Sequence, residues 1–293
     1  MSKVQANCLL LLAAAFWGFG NVAQKTVLDH LDPLSAVGMR CLIAGLMVAP
    51  LTGLEWGTKS GPGYGISLAK VSALFSISII IQQVSYLDTS VTNASFLVST
   101  ATVMTPLAAW LLIGERPTAV GGLAAAMTLA GVLLLSGGLI TSFSQGDLAA
   151  TLSAACYALW MVELGRHMQT HGAPIAAAAA QFLGAAVITL PLGALLGNLS
   201  LAAISDAAPE LAVLGIFSTG AAFGMQTIAQ RFTSASHAAV IVSAESVFGA
   251  VGAAIFLGER LSPTAAAGAA VIFGSITLLS LTTDKISKPA VAD

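Results

Sequence analysis

Charge is what this sequence has least of. Only 8% of its 293 residues are Asp, Glu, Lys or Arg, and 57% are hydrophobic; an average soluble domain is roughly 25% charged. A chain so poor in charge cannot cover a globular surface with polar groups, so its solvent is lipid. A net charge of −2 supplies no basic field for nucleic acid. Cysteine is scarce too. Cys8, Cys41 and Cys156 lie within apolar runs, with no CxxC partner and no His at ligand spacing. That argues against a disulfide framework and against a metal site. No GxxxxGK[ST] is present, so nucleotide hydrolysis by a P-loop is not expected. His30, His167, His171 and His237 fall in expected loops or at a helix start, and no two acids face each other at readable spacing. The reading is no enzyme and no cofactor.

What the sequence does have is repetition. Asn93–Arg116 reads NASFLVSTATVMTPLAAWLLIGER and His237–Arg260 reads HAAVIVSAESVFGAVGAAIFLGER. The two superpose without a gap at an offset of 144, with 8 of 24 positions identical, including the closing Gly-Glu-Arg. Duplicated membrane-length segments are the sequence mark of carriers built from related halves with a site between them.

A hydrocarbon core of ~30 Å needs about 20 apolar residues per helix. That predicts ten spans, at 5–25, 34–54, 66–86, 91–113, 118–139, 147–165, 174–196, 209–230, 235–257 and 264–282. The first resembles a signal peptide at Ala13-Ala14-Ala15 but continues to about Ala23, so it is expected to be a retained transmembrane helix. With the N-terminus inside, Lys3, Lys59, Lys70, Arg116, Arg166, Arg231, Lys285 and Lys288 fall inside. Lys25 and Arg260 fall outside, with Arg40 within a span near that face. This is the bias the positive-inside rule requires. Five spans per half is odd, so the halves cross in opposite directions. The fold class is therefore an all-α membrane protein of ten transmembrane helices in two inverted five-helix repeats. The first repeat occupies 1–140 and the second 141–293, within one integrated transmembrane domain.

Several stretches together resemble the drug/metabolite transporter superfamily, in its ten-helix EamA-type branch. They are Phe16-Trp17-Gly18, Asp32-Pro33 followed by Met39-Arg40, Tyr86–Ala94 (YLDTSVTNA), and the closings at Leu112–Arg116 and Leu257–Arg260. The resemblance covers nearly the whole chain. It implies both termini cytoplasmic and movement of small metabolites, often outward, with amino acids and other small polar or aromatic compounds as common cargo. Such repeats usually carry a proline thirteen residues before the Glu of the GER closing. Here those positions are Thr102 and Ser246, and Pro106 comes one turn later.

A charge at the centre of a membrane helix costs ~2.5–3.5 kcal/mol on insertion scales, so each one asks for a reason. Arg40 and Glu245 are the charges well inside spans. Glu245 reads either as a cavity-facing carboxylate that binds a cation or takes up a proton, or as a structural group in an ion pair, with Arg40 as the candidate partner, or in a helix-end contact. Arg40 reads as a partner for a substrate carboxylate or as a structural group. Phe248 is expected to share a helical face with Glu245. Gln82 and Gln226 are equivalent in the repeat, each followed at i+4 by a polar-tipped residue, Tyr86 or Gln230. Trp17, Asn21 and Gln24 share a face of the first helix, opposite Tyr157 and Trp160 of the sixth, with Gln181 on the seventh. Trp56 and Tyr64 read as interfacial anchors. Gly220/Gly224, Gly121/Gly122 and Gly249/Gly252 read as sites of close helix packing.

The expected function is a secondary transporter of the inner or plasma membrane, exporting amino acids or related metabolites by alternating access. The alternative is a flippase for a lipid or lipid-linked amphiphile. Expected partners are a small-molecule substrate, the bilayer and protons as coupling ion, without nucleic acid, in a monomer or homodimer.

Overall fold

The computed structural model describes residues 1–55, 61–137, 143–256 and 262–281. Trp56, Lys59, Leu257–Arg260, Lys285 and Lys288 lie outside the described residues. Ten apolar helices run in sequence among those described. They are α1 (Lys3–Thr26), α2 (Pro33–Val48), α3 (Tyr64–Ser85), α4 (Val91–Ser99 and Ala101–Ile113) and α5 (Ala119–Leu135). The second set is α6 (Gln145–Thr170), α7 (Pro174–Leu196), α8 (Ala208–Ala229), α9 (Ala235–Val242 and Glu245–Phe256) and α10 (Pro263–Ser280). Nine of these are long and apolar enough to cross a membrane, and α5, Ala119–Leu135, is a shorter apolar helix. The protein is an all-α membrane protein of two inverted five-helix repeats.

Local chemistry sets the helix starts, and it repeats. Ser90 caps α4 by accepting from the Asn93 amide, and Ser234, 144 residues on, caps α9 through His237. Thr118 caps α5 and Ser262 caps α10 at the same offset. Ser2 and Ser144 each close a reciprocal capping box, with Gln5 and Asp147. A hydroxyl or carboxylate here satisfies amides that have no partner within the helix.

The packing follows the repeat. α2 packs along α7 and α5 along α10, each helix against its own counterpart. α1 packs against α8 and α9, as α6 does against α3 and α4. Acidic caps staple the α2–α7 pair at both ends. At one end Asp32 Oδ1 accepts from the Leu34 and Ser35 amides while Oδ2 accepts from Asn198 N, just past α7. Burial works to raise the Asp32 pKa, but these bonds outweigh it and hold the carboxyl below its ordinary range. At the other end both Glu55 oxygens, just past α2, accept from Ile175 N and Ala176 N at the start of α7.

Polarity is inside out relative to a soluble protein. Leu111 and Leu195 are 78% and 80% exposed, whereas Arg40, Asn21 and Gln226 are 2% exposed or less. In lipid this is the stable arrangement, because polar groups find partners only in the interior.

Close approach at the centre depends on Gly18. A Cβ there would sit 2.5 Å from the Glu245 carbonyl oxygen and 2.6 Å from the Gly249 amide, so α1 and α9 touch backbone to backbone. Of the expected packing glycines, Gly249 meets Gly18, Gly252 meets Phe19 and Gly220 meets Met47. Gly121 meets only its own cap, Thr118, and Gly122 and Gly224 have open space. Small residues pack helices where two axes cross, which spacing alone does not locate.

Candidate functional site

α4 and α9 are both broken in mid-membrane, at matching places. In α4 the break is at Thr100, where the Thr100 amide bonds to Leu97 O and Val103 N to Thr100 O, both i to i+3. In α9 it is at Ser243 and Ala244, with Ala244 N on Ile241 O and Ser246 N on Ser243 O. No proline stands at either break. A hydroxyl does the work instead: Thr100 Oγ1 donates to Leu97 O and Ser243 Oγ to Val240 O, each at 2.5 Å, tightening the turn. The two breaks touch. Ser99 and Ser246 hydroxyls are 3.0 Å apart, and Thr102 Oγ1 donates to Ala239 O at 3.4 Å. Pro106, in the second piece of α4, comes after the break.

Around these breaks lies a cavity of about 50 Å³, several times the minimum that holds one water. Three repeat-equivalent pairs share its wall: Val98 with Val242, Ser99 with Ser243, and Ala101 with Glu245. Trp17, Gln24, Arg40, Gln82 and Tyr157 complete most of its functional lining.

Two charges, Arg40 buried and Glu245 partly buried, face this space without pairing directly. Among the described residues no ion pair within 4.0 Å joins Arg40 to Glu245; the one recorded is Arg166–Glu163. They are joined through two amides of α1. Arg40 Nη1 donates to Gln24 Oε1 at 3.1 Å, Gln24 Nε2 to Asn21 Oδ1 at 3.0 Å, and Asn21 Nδ2 to Glu245 Oε1 at 3.0 Å. Each amide points its donors toward the carboxylate and its acceptor toward the guanidinium, the one orientation both charges favour. Arg40 Nε remains buried with no partner. Gln83 Nε2 holds the Gln24 carbonyl at 2.8 Å, and Lys25 Nζ donates to Tyr86 O, fastening α1 to α3 at that end.

The remaining candidates fall behind the wall. Tyr86 is buried. Gln226 accepts from Tyr157 Oη at 3.0 Å, its own Nε2 unpartnered, and no hydrogen bond joins it to Gln82. Trp160 donates to Gln181 Oε1 at 2.6 Å and packs on Tyr157 and Phe223, so it supports aromatic wall residues from outside. Phe248 packs on Phe19 and Phe273. It follows Glu245 by three residues in the same helical piece, Glu245–Phe256, so the two keep a common register, while the break before Glu245 separates both from His237 and Ile241 in the first piece. Tyr64 stacks on His167 and His171 at the end of α6, away from the cavity. Cys8, Cys41 and Cys156 are free thiols.

Part of the wall carries no sequence signal. Ser78 and Ser153 line it while exchanging hydroxyl-to-carbonyl bonds between α3 and α6, at 3.3 and 3.0 Å. Ser218 and Phe223 belong to a π-helical stretch of α8, Val213–Phe223, whose Ser218 carbonyl accepts from Trp17 Nε1 at 2.8 Å. Wide turns of this kind are not visible in composition.

The EamA-like transporter family model matches twice, over residues 4–137 and 144–281. The chain belongs to that family. An uncharacterized transporter from Archaeoglobus fulgidus is 27% identical over 284 residues, covering 96% of this chain and 87% of the relative. A solved crystal structure at 19% identity superposes with a TM-score of 0.77, covering 94% of this chain and 96% of the other, and shares the fold. This EamA-type protein is thus an integral, multi-pass membrane protein of a transporter family, and membership points away from catalysis.

Proposed function

We propose that this protein is a secondary carrier of the plasma or inner membrane, with both termini cytoplasmic, that exports a small metabolite by alternating access. The observation that carries the reading is the shared wall of the cavity. Matching positions of two inverted halves, at breaks in α4 and α9, meet around one polar space. Exchanging the conformations of two such halves turns the space from one side to the other. The cargo class we propose is amino acids or related compounds. Arg40 and Glu245 offer charges of both signs, held apart, beside the aromatic surfaces of Trp17, Tyr157 and Phe223, and such a wall suits a small zwitterion with an apolar side group. Protons are the coupling ion we propose, exchanged for a zwitterionic cargo whose ammonium takes the proton's place at Glu245 rather than carried together with it. The two repeats, divided near residue 140, work as one transmembrane unit in a monomer or homodimer.

Proteoliposomes loaded with a panel of labelled amino acids test this. Flux of at least one above protein-free vesicles is expected, with a loss of about 100-fold, ~2.7 kcal/mol at 1.36 per decade, in Arg40→Gln. Absence of flux for the whole panel, with a labelled phospholipid scrambled instead, would replace the metabolite carrier by a flippase.

A further inference from the structure

Arg40 and Glu245 form a split ion pair whose two charges compensate each other through Gln24 and Asn21. The site they share is neutral overall and largely shielded from water: Arg40 and Asn21 are 2% exposed and Gln24 is 4% exposed, with Glu245 partly exposed toward the cavity. A neutral buried site tolerates one added charge poorly, because nothing nearby compensates it. Arg40 lines the cavity, and its Nε is buried with no partner, so the relay does not use all of the guanidinium's donors and the group can take on an anion. Once an anion engages Arg40, the guanidinium no longer compensates Glu245 alone, and the site as a whole carries one negative charge too many.

Building on the carrier reading above, we infer that the amide relay makes a carboxylate monoanion at Arg40 and a proton on Glu245 bind together. A zwitterion adds no net charge and needs no such proton. The proton restores neutrality, and among the described residues no other group facing Glu245 is placed to do so. Tyr86 of α3 and Tyr157 of α6 are the phenols within electrostatic reach of it, and a neutral phenol already holds its proton. Lys25 of α1 is tied to the carbonyls of Tyr86 and Thr89. On α9 itself, His237 stands eight residues earlier, at the helix start. Asn21 and Gln24 are positioning residues here: they touch the charges and transmit between them. By linkage, whatever the anion does to proton binding, the proton does equally to anion binding.

The probe is benzoate, a single carboxylate on an aromatic ring, with phenylalanine as the zwitterionic counterpart. Purified full-length protein in nanodiscs is titrated calorimetrically in two buffers of different ionisation enthalpy, which counts protons exchanged. Uptake of about one proton per benzoate is expected, with affinity rising about tenfold per unit fall in pH, the slope one linked proton gives. Phenylalanine should bind with no uptake. Glu245→Gln should bind benzoate with no uptake and a flat pH profile, and Arg40→Gln should lose benzoate binding. Asn21→Leu, at a residue behind the cavity lining, should lower the protons taken up per benzoate bound well below one; Gln24→Met should lower the same ratio should the first variant not fold. Benzoate binding without proton exchange, unchanged uptake in Glu245→Gln, or no benzoate binding at all would each overturn the inference. None of these touches the carrier reading, which stands or falls on amino-acid flux in liposomes.

Discussion

The break in α4 and the break in α9 have the same backbone and opposite chemistry. Val98-Ser99-Thr100-Ala101 and Val242-Ser243-Ala244-Glu245 occupy equivalent places, tighten by the same kind of hydroxyl bond, and face the same cavity. One ends in a methyl group and the other in a carboxylate. The pattern recurs at α2 and α7. Seven residues after the helix-opening proline, Pro33 or Pro174, stands Arg40 in one half and Gln181 in the other. Gln181 is satisfied by Trp160 and by its own Ala177 carbonyl, whereas Arg40 keeps a free donor. Duplication supplies the shape, and substitution at a few positions supplies the polarity. Because the two charged positions are not counterparts of each other, the relay is a property of the assembled pair and of neither repeat alone.

Writing the second half's residue into the first is the sharpest way to break this contrast. Arg40→Gln leaves the partly buried Glu245 without its distant cation, so a loss of about 2–3 kcal/mol of stability is expected, below the ~3–5 of a fully buried direct pair, read from chemical or thermal denaturation in detergent. Glu245→Gln alone should also destabilise. The double variant should be less unstable than the sum of the singles by about 1–3 kcal/mol. Strict additivity would mean that the two amides transmit nothing between the charges.

Gly18→Ala tests the same contrast from the side of α1. Its new Cβ meets backbone atoms of α9 beside Glu245, and backbone yields less readily than a flexible side chain. Destabilisation of about 1–3 kcal/mol is expected, together with weakened amino-acid binding, because the Asn21–Glu245 contact lies one turn away. A variant with unaltered melting temperature would mean that α1 and α9 do not cross this closely.

How much of this was readable beforehand depends on the kind of interaction. Helix starts were legible because Ser, Thr and Asp act locally: Ser90 and Ser234, or Thr118 and Ser262, need nothing beyond the next turn. Arg40 and Glu245 were legible because a charge in lipid is rare enough to stand out. Their connection was not. An Arg–Glu pair suggests direct contact, while the intervening amides are set by how α1 lies between α2 and α9. Hydroxyls on the wall were hidden for a different reason. Thr105, Thr189 and Thr227 bond their own helix four residues back, so a serine lining a cavity looks in sequence like one satisfying itself. Gln82 and Gln226 show the limit of the repeat as a guide. They hold equal positions, but Tyr157 reaches Gln226 and only Gln82 faces the cavity, since the flanking helices have diverged.

The smallest effect asks whether the two breaks are energetically alike. Thr100→Val and Ser243→Ala each delete the hydroxyl that tightens its break, and each should cost about 1 kcal/mol, the net worth of a typical hydrogen bond. Equal losses in melting temperature would place the origin of the breaks in these local bonds. The variants should still separate on binding. Ser243 lines the cavity and Thr100 does not, so Ser243→Ala alone should weaken cargo affinity, by a few-fold. If Thr100→Val weakened it as much, the break geometry rather than the exposed hydroxyl would govern the site, and the polar asymmetry of the halves would matter less than their shared bend.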